Sequence, residues 1–339
     1  MTTINESTMT GRRRSSIGEL VRKASSASLS TIKNQFVRRS STISRHTIDF
    51  SLVDELRDRL RTELYHSSNK SGHNTTDDID SRDAQFALSD GQFLHRCVTE
   101  YAVELTTNDR DVAVSKLTKY VMDCLRLRKQ LGYSNLKPSE LPVELYDSRI
   151  LCGYEKEPDP KVLVYVRVVK LRKIDQKLDP MYIQFLMANV NWLISRLKDR
   201  SLNLVLDTSG ISLSQLELVV NLAFAMYNLF PGCLEKCYIV ELPFFYRAGL
   251  SVLLRMFPDR IRSKLVMLTK SELITEIGPE KVPNFMGGLG DDNLEWTSDA
   301  HIRPSNCWTI DDYAKCHGIS ASSVKKAKQE FEKVKRMKN

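Results

Sequence analysis

Apolar residues recur along this chain at two periods, and the change of period divides it. In SLVDELRDRLRTELY, Leu52, Leu56, Leu60 and Leu64 fall four apart, one face of a short amphipathic helix. HSSNKSGHNTTDDIDS then reads as a polar linker. Helical spacing returns from 83 to about 132. Phe93, Leu94, Cys97, Val98, Tyr101 and Leu105 share a broad face behind a Ser89 or Asp90 cap, and Val114, Leu117, Val121 and Leu125 repeat it before Gly132.

The texture then shifts to β-branched runs. KVLVYVRVVK (161–170), LNLVLD (202–207), KCYIVEL (236–242) and KLVML (264–268) predict strands. Between them DPMYIQFLMANVNWLISRL, SLSQLELVVNLAFAMYNLF and PFFYRAGLSVLLRMF predict helices, the first with Pro180 in its opening turn. Strand–helix alternation of this kind makes the fold α/β: a small, mostly parallel sheet flanked by helices, behind an all-helical N-terminal lobe. The boundaries read as a tail at 1–50, the helix and linker at 51–82, the helical lobe at 83–150, the α/β domain at 151–295 and a C-terminal extension at 296–339.

Composition adds where the basicity lies. The chain of 339 residues is 42% hydrophobic and carries a net charge of +8. Residues 1–50 hold nine Lys/Arg against three Asp/Glu, and 321–339 hold seven against two, so the body between is slightly acidic. That argues against a basic nucleic-acid-binding face and for tails that meet an anionic membrane surface or stay solvated. The first 50 residues are Ser/Thr/Arg-rich and too poor in large apolar groups to order themselves. Arginines precede Ser16 and Ser41, the pattern of basic-directed kinases; phosphate there would cancel local positive charge. In the last helix Val324, Ala327, Phe331 and Val334 form a stripe among lysines, which fits either a weak bilayer contact or a solvated terminal helix. No apolar h-region opens the chain and no run spans a bilayer, which predicts a cytoplasmic protein, peripherally and reversibly bound to membrane. Seven scattered cysteines without paired spacing fit a reducing compartment and no metal site.

Catalytic constellations are missing: there is no GxSxG elbow, HExxH, P-loop or DxDxG pattern, and no enzyme or cofactor is expected. Asp207 ends a strand, where α/β folds place functional groups, but with Thr208, Ser209 and Gly210 behind it, it also suits a helix cap. VPNFMGGLGDD lacks the strand that a phosphate loop needs before its glycines. The helix at 244–257 is unusual. Phe244, Phe245, Leu250, Leu253, Leu254 and Phe257 leave little polar face beyond Arg247, Ser251 and Arg255. It is either a helix buried on both sides or one that covers an apolar cavity and can swing onto a bilayer.

The stretch from NLVLDTSG through FPG, ELPFFYRAGLSVLLRMF and KLVML to VPNFMGG resembles the CRAL-TRIO lipid-binding family, which includes secretory phosphatidylinositol transfer proteins. The resemblance covers about 85–295. It implies a cavity for one hydrophobic lipid, with Tyr165, Leu202, Leu204 and Ile239 on its floor and the 244–257 helix as a mobile lid. It also implies that Lys264 is the counterpart of the family's inositol-phosphate lysine. Two positions depart from the family: Gly232 stands where phosphoinositide binders carry glutamate, and Leu202 and Leu204 stand where phosphatidylcholine binders carry small hydroxyl residues. The expected function is exchange or presentation of one lipid, its identity open; the alternative is a protein-interaction module whose pocket has collapsed.

Overall fold

The computed structural model describes residues 50–69, 79–101, 109–154, 161–172, 177–197, 201–244, 246, 259–290 and 304–337. The tail with Ser16 and Ser41, and Phe245, Leu250, Leu253, Leu254 and Phe257 of the segment whose pattern predicts an apolar helix, lie outside the described residues.

Four helices build the N-terminal lobe: α1 (Phe50–Asn69), α2 (Ser81–Ser89), α3 (Gly91–Tyr101) and α4 (Arg110–Gln130). Leu56 and Leu60 of α1 meet Leu94 and Cys97 of α3 and Leu117, Val121 and Leu125 of α4 in one core. The leucine helix set apart in the sequence at 51–82 is thus a wall of this lobe. Asp80 caps α2, Asp109 caps α4, and Asp90 accepts from the amides of Gln92 and Phe93 to start α3, each satisfying amides that a helix start leaves open. The buried Arg128–Asp83 ion pair (2.9 Å) pins α4 to α2, its guanidinium 3.9 Å from the ring centre of Tyr133.

A short helix, α5 (Val143–Asp147), leads to the sheet. Strand β1 (Leu151–Tyr154), which the pattern of the sequence did not announce, runs antiparallel to β2 (Lys161–Arg167). From there the sheet is parallel, in the order β2, β3 (Ser201–Asp207), β4 (Leu234–Val240) and β5 (Leu265–Leu268). Helix α6 (Asp179–Leu197) joins β2 to β3, and α7 (Leu213–Leu229) joins β3 to β4; the connection from β4 to β5 ends in the short α8 (Asp259–Arg262). Because consecutive parallel strands are spatial neighbours, right-handed crossovers put α6 and α7 on one face. Helix α9 (Lys270–Ile277) follows β5 and covers the other face.

Past the sheet, α10 (Ile310–His317) and α11 (Ala321–Arg336) dock on the body. The stripe of Val324, Ala327, Phe331 and Val334 is 0–8% exposed. Glu144 accepts from the amide of Ile310, the amide of Val143 donates to the Trp308 carbonyl (2.8 Å), and Arg172 pairs with Glu330 at 3.7 Å. The apolar side of the last helix is therefore buried in the fold and cannot enter a bilayer, contrary to the membrane reading of that stripe; only its lysine-bearing side faces water.

Candidate functional site

Register divides the candidate residues between the two faces of the sheet. Tyr165 pairs with Val205, and Val205 with Tyr238, so these side chains share the face under α9. Leu163, Tyr165, Val205, Tyr238 and Val240 close there against Leu273, Val282 and Met286. The Tyr165 hydroxyl donates to the Lys281 carbonyl (2.6 Å), and burial pushes its phenol well above the usual range. Tyr165 therefore cannot share a floor with the two leucines: one position of alternation puts it on the sealed side.

The sealing segment explains the glycines of VPNFMGG. Gly287 sits at φ +88°, and a side chain on Gly288 would stand 1.9 Å from the Val282 carbonyl oxygen. The loop folds back on itself beneath the sheet, and a side chain at 288 would pry it open.

Leu202, Leu204 and Ile239 lie together on the crossover face, where Leu204 pairs with Cys237 and Ile239 with Met267. Leu202 and Ile239 are buried, Leu204 and Leu265 half-buried, and Met267 is 42% exposed. The face thus becomes more accessible toward β5 while staying apolar. Phe244, in the connection that leaves β4, is 86% exposed.

Lys264 enters β5 with its ammonium held by Glu100 of α3, whose side chain is 3% exposed. The lysine that the resemblance makes a headgroup ligand is an internal ion-pair partner. Gly232 has a matching cause: it sits at φ +68°, and a Cβ there would stand 2.6 Å from the Arg96 carbonyl oxygen. Helix α3 presses on the turn before β4 through Arg96, which also donates to the Cys233 sulfur (3.4 Å), and grips the turn before β5 through Glu100, one helical turn on. Sequence reasoning passed over Glu100. Its signal was position: it falls three residues after Cys97 and seven after Phe93, on the apolar side of α3.

Asp207 closes a turn, its carboxylate accepting from the amide and hydroxyl of Ser209; Ser212 and Gln215 cap α7 instead. Among the described residues no group of three or more His, Cys, Asp or Glu could hold a metal ion. No helix among them is long and apolar enough to cross a membrane.

The model of the CRAL/TRIO domain matches residues 148–288. Among solved structures 33 chains match; the crystal structure of Sfh5 is 12% identical, with a TM-score of 0.52 over 76% of this chain and 94% of that one. At such identity the likeness shows the fold alone. No curated protein matches the sequence.

Proposed function

We propose that this chain, which carries a CRAL/TRIO domain over residues 148–288, binds one hydrophobic lipid against the crossover face of its sheet and exchanges or presents it at membranes. The observation that carries the reading is a CRAL/TRIO sheet with two unlike faces, one sealed by α9 and the other apolar but partly open at Leu204, Leu265 and Met267. Each lipid CH₂ moved from water to such a surface contributes about 0.8 kcal/mol. A bilayer offers nearly the same, so transfer between the two is close to balanced and needs no chemical step.

The segment 244–257, which its apolar pattern predicts to be a helix, is the proposed lid. Its composition supports the role, since a helix with so little polar face needs an apolar partner on more than one side. Approach to an anionic membrane in the cytoplasm would be electrostatic, through the basic N-terminal segment and the outward lysines of α11, at about 1 kcal/mol per cation near the surface.

Protein purified under native conditions is expected to carry one lipid per chain by native mass spectrometry. An empty protein after incubation with liposomes would overturn the reading. Leu253→Asp combined with Leu254→Asp is expected to abolish transfer with the melting temperature kept; undiminished transfer would remove the lid assignment.

A further inference from the structure

We infer that Glu100 is a specificity-determining residue, which neutralises Lys264 and offers one open carboxylate oxygen to the hydroxyl of an uncharged lipid while turning phosphate-bearing headgroups away. The inference rests on the lipid-binding reading above and adds the chemical class of the ligand.

Three observations converge on this corner. Glu100 is buried on α3, and only one of its oxygens is used: Oε2 takes the Lys264 ammonium, while Oε1 is buried without a hydrogen-bond partner. A buried carboxylate oxygen without a donor is costly and marks a place where a water or ligand donor belongs. The corner lies where β5 begins beside β4. Leu265 directly follows Lys264 and pairs with Cys237 on the face that carries Leu204 and Ile239, and the amide of Cys237 donates to the Lys264 carbonyl (2.8 Å). Finally, the close approach of Arg96 to Gly232 leaves no room for a side chain after Pro231, so α3 packs tightly against this corner.

The selectivity follows from charge. A phosphate brought to Lys264 would set a second anion beside a buried carboxylate and compete for the same ammonium, which disfavours both. A neutral alcohol brings no charge and supplies the O–H that Oε1 lacks. The rest of the floor, Leu202, Leu204, Ile239 and Met267, has no side-chain hydrogen-bonding oxygen or nitrogen to recognise anything else.

The test loads the full chain from phosphatidylcholine vesicles carrying dioleoylglycerol or cholesterol, the O-methyl ether of either, or phosphatidylinositol, and reads bound lipid by native mass spectrometry. The wild-type chain is expected to take up at least one alcohol about tenfold over its ether, the order of one hydrogen bond to a charged group, and to take up neither phospholipid. Glu100→Gln, checked for folding by its melting curve, is expected to shrink that ratio and admit phosphatidylinositol. Equal loading of alcohol and ether by wild type would mean that an internal water serves Oε1, and would overturn the inference, as would ready loading of either phospholipid. Both readouts stand on the wild-type chain even if the variant does not fold. Failure to load any lipid would overturn the lipid-binding reading itself, a different result from loading without discrimination.

Discussion

The two faces of the sheet are built from the same strands and nearly the same residue types, yet they end differently. Under α9, Tyr165, Val205 and Tyr238 meet Leu273 and Met286 in a closed core, tied by the Tyr165 hydroxyl to the Lys281 carbonyl. On the crossover face, burial fades from Leu202 and Ile239 to the exposed Met267 at the edge strand. Apolar alternation says that a side chain leaves water; it does not say whether protein or ligand replaces the water. On the sealed face a short helix and a loop fold back directly after β5. On the other face lie α6 and α7, the crossovers between parallel strands.

The comparison breaks most readily at Leu273. Leu273→Ala removes a fully buried side chain from the sealed face and is expected to cost about 2–5 kcal/mol in denaturant unfolding, with lipid uptake per folded molecule unchanged; a selective loss of uptake would mean that both faces serve the ligand. Met267→Asp is the converse. On an exposed edge position it is expected to leave unfolding within about 0.5 kcal/mol while lowering uptake roughly tenfold, because the charge would be desolvated under a lipid. A large loss of stability there would show the crossover face to be core. The smallest expected effect is Tyr165→Phe, about 1 kcal/mol from one lost hydrogen bond, with uptake equal to wild type. Reduced uptake would return Tyr165 to the floor.

Much of the architecture was legible. Leu52 to Leu64, four apart, announced α1, and the β-branched runs announced β2 to β5 to within a few residues. Strand β1 was missed because LCGY is short and contains a glycine, and its pairing partner β2 defines it more than its own composition does. Leu202, Leu204 and Ile239 were found on one face of the sheet, because they keep step in adjacent parallel strands. Tyr165 was not, since residue type is silent about face: only the count of residues from a paired neighbour decides it. Lys264, which the resemblance offers as a headgroup lysine, has an ion-pair partner that no local pattern could announce, because Glu100 lies 164 residues earlier in another lobe.

By itself, then, the sequence determined what local physics governs: which segments are helices or strands, the parallel alternation, the basic ends, and the glycines where the backbone needs positive φ or a bare Cα. Tertiary structure alone decided which apolar surfaces meet one another and which stay partly open. The stripe of α11 reads like a membrane contact until α5 and the Arg172 segment are seen beside it, and the lysine before β5 reads like a ligand for phosphate until Glu100 closes on it. Hydrophobicity and charge are properties of a residue, but burial and pairing are properties of its neighbours, and those neighbours are brought together from far apart in the chain.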